Sequence, residues 1–163
     1  MSILPIISAP DPRLRQVAKD VKEVDNDIRK IMDDMLETVY DCDASGLAAT
    51  QVGINKRIMV IDCRHSDEQE RPDGFYPLHM ANVKIIDYSK ETSIHKEGCL
   101  SIPGFGVDVK RPVGITFEYV DYNNKLQTMS TEGWLARVVQ HELDHLNGKL
   151  MFDYLSKFKR DIL

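Results

Sequence analysis

Cysteine is scarce in this chain. Only Cys42, Cys63 and Cys99 occur, at unrelated spacings, so any pairing scheme leaves one thiol over. A disulfide framework is thereby excluded and a reducing compartment expected, with a thiol free for metal or catalytic work. Long apolar runs are missing as well. The opening MSILPIISAPDPRLR has no basic stretch, and Pro5 and Pro10 interrupt its apolar residues, so it reads as neither secretion signal nor membrane anchor. A cytoplasmic location without membrane contact follows as the expectation. Positive charge is outweighed, with 21 Lys and Arg against 26 Asp and Glu, which removes the electrostatic footprint that direct nucleic-acid binding needs. No internal repeat, low-complexity tract or linker divides the chain.

What is present is an ordinary globular composition, 42% hydrophobic and 29% charged, and a length that suits one domain over residues 1–163 with its own core. Asp25 can cap a helix in which Ile28, Ile31, Met32, Met35, Leu36, Val39 and Tyr40 recur at three- and four-residue steps. Residues 57–62, 83–87, 107–110 and 115–122 are short, rich in Val and Ile, and bounded by Pro, Gly and Asn, which predicts strands. Residues 121–125 supply the turn chemistry for a hairpin into 126–130, so the middle of the chain should be antiparallel sheet. The polar stretch 65–74 reads as an exposed loop. From Thr131 as N-cap to Gly148 as stop, a second helix is expected, with no proline inside it.

That second helix contains His141-Glu142-Leu143-Asp144-His145, an H-E-x-x-H pattern. Histidines four residues apart lie on one face, one turn above the other, and two rings so placed can grip one ion. At about 100° per residue, Trp134, Leu135, Val138, Val139, His141, Glu142, His145 and Leu146 share roughly one half of the helix surface. Arg137, Gln140 and Asp144 fall outside it. Burying a carboxylate and two imidazoles among Trp, Val and Leu costs several kcal/mol unless each finds a strong partner, and a divalent cation is one. The competing reading, satisfied core histidines beside a solvated carboxylate, is less specific than the motif.

A catalytic centre of this type takes three protein ligands and leaves a position for water. Extending the motif as H-E-x-x-H-x-x-G-x-x-H meets Gly148 but then Met151, a poor ligand, and the 18 residues after His145 contain no glutamate. The third ligand therefore lies upstream, among Cys99, Cys42, Cys63, His95 and several carboxylates. Cys99 stands out. It lies in Glu97-Gly98-Cys99-Leu100-Ser101-Ile102-Pro103, where glycine permits an unusual turn, Pro103 ends the segment, and the intervening amides can donate to a ligand. Cys42 and Cys63 read as small buried side chains, and His95 as a surface histidine.

Three ordered segments, Ala44-Ser45-Gly46-Leu47-Ala48-Ala49-Thr50-Gln51, Glu97-Gly98-Cys99-Leu100-Ser101 and Gln140-His141-Glu142-Leu143-Asp144-His145, together resemble the peptide deformylase family. Likeness extends from Ile3-Leu4-Pro5-Ile6 to Asp153-Tyr154-Leu155. The resemblance implies an α+β fold in which antiparallel β-sheets surround a central metal-binding helix bearing the H-E-x-x-H motif. It also implies removal of the N-terminal formyl group from formyl-methionine of newly synthesised polypeptides, with release of formate. By that resemblance Cys99, His141 and His145 hold one divalent ion, typically iron(II), which zinc, nickel or cobalt can replace. Glu142 would serve as general base and acid, and the Gln51 amide with the Leu100 backbone N–H as donors to the oxyanion.

Gly46 has no side chain to hinder a substrate backbone, and Val138 and Trp134 suit the walls of a methionine pocket, with plain core packing as the alternative. N-formylmethionyl nascent peptides are the expected partners of a monomer. The basic Lys157-Phe158-Lys159-Arg160 is either a ribosome contact or a solvated helix end. Three rivals share part of this evidence: a metallopeptidase of another family, a protein with a closed structural metal site recruiting Cys42 or Cys63, and a family relative that binds without cleaving. Departures from the family pattern are Ala44 and Ser45 in the first motif, Gly104-Phe105-Gly106 after the second, and Trp134 and Arg137 at positions often smaller or aliphatic.

Overall fold

The computed structural model describes residues 2–156; the Lys157-Phe158-Lys159-Arg160 stretch lies outside them. Among these residues two α-helices and seven strands make an α+β fold: α1 (Asn26–Asp41), β1 (Gly46–Ala48), β2 (Ile58–Ile61), β3 (Leu78–Tyr88), β4 (Thr92–Cys99), β5 (Ile102–Pro112), β6 (Gly114–Val120), β7 (Leu126–Glu132) and α2 (Trp134–Leu146). Five strands form one sheet in the order β1-β2-β3-β6-β7, and β4 and β5 form a separate hairpin. Every pairing within them is antiparallel.

Alternation along β2 sets the layers, because successive side chains of a strand point to opposite faces. Ile58 and Val60 pack with Met32, Met35 and Val39 of α1, whereas Met59 and Ile61 pack with Leu135, Val138 and Val139 of α2. All four β2 residues are fully buried, since helices cover the sheet on both sides. A third apolar cluster joins Ile102, Val107 and Val109 of β5 to Ile7, Leu14, Leu150 and Met151. The β4-β5 hairpin is thus held by both ends of the described chain.

Local chemistry accounts for the boundaries. Asp25 caps α1 by accepting from the Ile28 N–H at 3.0 Å, as expected. Asp121 accepts from the backbone N–H of Asn123 and Lys125, and Asn124 takes φ +60°, which closes the β6-β7 hairpin. The stop at Gly148 also stands: its N–H donates to His145 O, the Lys149 N–H reaches back to Asp144 O, and Gly148 has φ +74°, a glycine-terminated helix end.

Three expectations need correction. Thr131 is no helix cap; it belongs to β7, opposite Ile115, because pairing with β6 continues to Glu132 and the chain turns only at Gly133, at φ +74°. Pro103 does not end its segment: β5 runs on to Pro112, with residues 103–105 looped out between the Gly98↔Gly106 and Cys99↔Ile102 pairs. Cys42 is half-buried, at the end of α1. Arg137 and Gln140 lie on the helix flank away from the apolar half, yet both are buried, because the β4-β5 hairpin covers that flank and supplies polar partners. β1 and β4 carry no strand signal of their own; three residues are too few to show a period, and β4 mixes Ser, His, Lys and Glu.

Candidate active site

α2 carries His141 and His145 on one face, and the β4-β5 turn brings Cys99 against them. One ligand atom from each of the three lies within 4.8 Å of the others, and Cys99 Sγ stands 3.2 Å from His145 Nε2. His141 has its Nδ1 2.8 Å from a Glu97 carboxylate oxygen, which leaves Nε2 as its free nitrogen. Glu97 is itself buried and gripped by Arg111, whose Nε and Nη2 donate at 2.7 and 2.8 Å, and by Nη1 of Arg137. Burial opposes charge on Glu97, but the Arg111 bonds and the His141 contact hold its carboxyl down at about 2. An ionised carboxylate behind a histidine fixes the ring and raises its donor strength, the usual outer support of a metal-binding imidazole.

Burial and neighbouring charges move the two imidazoles in opposite directions. Burial disfavours a charged His141, yet the neighbouring Cys99 and Glu97 push it up to about 10. His145, 1% exposed, is driven well below the ordinary value by burial and by His141. A soft thiol with two imidazole nitrogens is a donor set suited to a borderline divalent ion.

Glu142 is 4% exposed, its Oε2 is buried with no hydrogen-bond partner, and burial raises its pKa to about 7. A carboxyl that titrates near neutrality can both take and return a proton. A Cβ at Gly46 would stand 3.2 Å from Glu142 Oε1 and 3.2 Å from Val138 Cγ1, so the absence of a side chain there leaves Glu142 its room. Gln51, 2% exposed, sits on the short 3-10 turn after β1. Its Oε1 accepts from the Ala48 N–H at 3.0 Å, and its Nε2 lies 3.1 Å from Ser101 Oγ and 3.6 Å from Cys99 Sγ. Leu100 and Ser101 are the two residues between the paired Cys99 and Ile102.

A cavity of about 250 Å³ opens onto these groups, lined by Gly46, Gln51, Cys99, Leu100, Trp134, Val138, His141 and Glu142 among others. Cys99, His141, Glu142, Gln51, Leu100, Gly46, Trp134 and Val138 thus meet at one place, with His145 behind the lining. His95 does not join the ligand group; it is exposed on β4, edge-on to Trp134 at 6.3 Å between centroids. Cys63 is buried against the Tyr76 hydroxyl at 3.1 Å. The supporting roles of Glu97, Arg111, Arg137 and Ser101 were not anticipated. Glu97 and Ser101 lie within the second motif, and Arg137 stands one turn before His141, so position hinted at three of them; Arg111 carries no such signal.

The chain matches the family model described as polypeptide deformylase over residues 3–161. It is 56% identical to the peptide deformylase of Rickettsia canadensis, over all of this chain and 93% of that one. The crystal structure of the Ehrlichia chaffeensis peptide deformylase in complex with actinonin superposes with a TM-score of 0.91 at 46% identity, covering 99% of this chain and 94% of that one. The Met-Ala-Ser-bound class I type b peptide deformylase from Acinetobacter baumannii matches with a TM-score of 0.85 at 30% identity, over 95% of this chain and all of the other. With this likeness spanning essentially the whole chain, and the site residues of all three motifs gathered at one cavity, the chain belongs to the polypeptide deformylase family, hydrolases that remove the N-terminal formyl group from nascent polypeptides.

Proposed function

We propose that residues 1–163 form one catalytic domain in which α2 is the metal-binding helix, Cys99, His141 and His145 hold a single divalent ion, iron(II) in the cell, and Glu142 moves the protons of formyl hydrolysis. The observation that carries this reading is the convergence of the thiol and both imidazoles within 4.8 Å beside a buried carboxylate oxygen that no protein group satisfies. An ion in that site supplies Lewis acidity and lowers the pKa of water toward neutrality.

The protein's own groups do the rest. Glu142 accepts the proton of the attacking water and later delivers it to the leaving amine, freeing formate and the new N-terminus. The Gln51 amide and the Leu100 backbone N–H donate to the formyl oxygen as negative charge builds there; neutral donors already aligned stabilise that charge without reorganising. Gly46 lets the substrate backbone come close, and Val138 and Trp134 line the space for the methionine side chain. The Met-Ala-Ser peptide bound by the Acinetobacter baumannii relative supports an N-terminal methionine as the group accommodated.

A closed structural metal site is disfavoured because no fourth His, Cys, Asp or Glu joins the ligand group among the described residues, and Cys63 is engaged elsewhere. No helix among the described residues is long and apolar enough to cross a membrane; the proposal places a monomer at work on nascent chains in the cytoplasm. The test is formate release from a short formyl-methionyl peptide by protein loaded anaerobically with iron(II) or nickel, with Glu142→Ala alongside. Formate from the parent alone, with metal retained in both, is expected; a folded, fully metallated parent that releases none overturns the proposal.

A further inference from the structure

Gln51 has to present its amide, and not its carbonyl, to the cavity if it is to stabilise an oxyanion. A glutamine side chain can turn either end forward at little intrinsic cost, so something must choose. Two hydrogen bonds make the choice here. The Ala48 N–H donates to Oε1 at 3.0 Å, and Nε2 donates to Ser101 Oγ at 3.1 Å. An amide nitrogen has two hydrogens; with one held by Ser101, the other points toward Cys99 Sγ, 3.6 Å away, on the side where the cavity lies. Flipping the amide would set an NH₂ against the Ala48 N–H and a carbonyl oxygen against the Cys99 sulfur. Ser101 is fully buried and Gln51 nearly so, so water offers no substitute partner.

The two residues are also pinned from behind by the N-terminal segment. The Ile7 N–H donates to Gln51 O at 2.7 Å, and the Ala9 N–H donates to Ser101 O at 2.8 Å. Residues that are fifty apart in sequence are thereby held by two nearby positions, Ile7 and Ala9, of the N-terminal segment. The same anchor at Ser101 steadies the turn that carries Leu100.

We infer that Ser101 is a positioning residue, which with the Ile7 and Ala9 backbone aims the Gln51 amide at the developing oxyanion. This rests on the proposed donor role of Gln51. The experiment is a double-mutant cycle of Ser101→Ala and Gln51→Ala in the metal-loaded full chain, assayed on a formyl-methionyl peptide. Gln51→Ala should lower kcat by about 100-fold, as loss of one oxyanion donor does. Ser101→Ala should lower kcat by about tenfold with KM little changed, as misaim of a retained donor does, and should cost nothing further in the Gln51→Ala background.

A second readout is free of activity. In the zinc-loaded protein, the Gln51 side-chain NH₂ signals, assigned by their loss in Gln51→Ala, should exchange slowly with water in the parent and faster in Ser101→Ala. Should Ser101→Ala fail to fold, Ser101→Cys keeps the bulk while offering a poor acceptor. Additive effects on kcat, or unchanged amide exchange, overturn the positioning role alone; a Gln51→Ala variant with parental kcat overturns the donor role beneath it.

Discussion

Among the described residues, Glu142 occupies the one buried position where an unsatisfied carboxylate oxygen meets the cavity, and its neighbours are arranged to leave it free. Replacing it by Ala should reduce kcat by about 10²- to 10⁴-fold, the usual contribution of a positioned proton-transfer group, while metal content measured by elemental analysis stays at one ion per chain. Gly46→Ala tests the same carboxylate from the other side. The added methyl would press on Glu142 Oε1 and Val138 Cγ1, both at 3.2 Å. Displacing the carboxylate by a few tenths of an ångström should cost about tenfold in kcat, with thermal stability close to that of the parent; unchanged kinetics would mean that Glu142 does not depend on this space.

Among the elements, α2 is defined at its ends by two glycines with positive φ, and these differ in what surrounds them. Gly133 turns the chain out of β7, where a Cβ would meet only the tip of the Gln69 side chain at 3.5 Å, whereas a Cβ at Gly148 would lie 2.5 Å from the Arg15 carbonyl oxygen. Backbone cannot yield as a side-chain tip can. Gly148→Ala should therefore combine left-handed strain with a clash and destabilise by about 2 kcal/mol in urea unfolding; Gly133→Ala carries the strain alone and should cost less. The reverse order would show that close contact with residue 15 is not what demands glycine. α2 also shows why lying outside the apolar half did not leave Arg137 and Gln140 exposed. A wheel divides a helix into an apolar half and a remainder, and the remainder is exposed only if nothing covers it. Here the β4-β5 hairpin does, giving Arg137 the Glu97 carboxylate, the Val109 carbonyl and Ser93, and Gln140 the Pro112 carbonyl.

For the whole molecule, acid and chelation are the two levers. Asp62 and Asp67 are buried, which alone would raise their pKa values, but bonds from Arg64 and Tyr40 to the first, and from Arg71 and Tyr76 to the second, hold both below the ordinary 3.8. A carboxyl lowered by folding stabilises the native state fully above its unfolded pKa, and that contribution is lost as pH falls through the depressed folded value. Stability should accordingly hold down to roughly pH 4 and fall below it, and Asp62→Asn with Asp67→Asn should flatten that acid slope; an unchanged slope would assign acid lability elsewhere. Removing the metal acts near neutral pH. An ion bound at about a thousand times its dissociation constant adds about 4 kcal/mol, so stripping with chelator should lower the unfolding midpoint by about 10 °C in a domain of this size.

Much of the centre was legible beforehand because its chemistry is encoded over short range. Two histidines one turn apart, a glutamate beside the first, and a thiol in a glycine-bearing turn depend only on helix pitch and local backbone freedom. The Asp25 cap, the Gly148 stop and the 121–125 turn belong with them for the same reason. What the sequence by itself could not determine is which distant partners complete each group. Arg111 reaches Glu97 only because β4 and β5 pair in antiparallel register, and Ser101 meets Gln51 only because the hairpin turn folds back beside β1. Thr131 is a competent cap residue that β6 claimed for the sheet. Local propensities are worth fractions of a kcal/mol per residue, whereas strand pairing and burial of a charged network are decided by contacts between segments dozens of residues apart. Residue chemistry was therefore readable from sequence order; the enclosure that gives Glu97, Glu142 and Gln51 their particular states came from the tertiary structure alone.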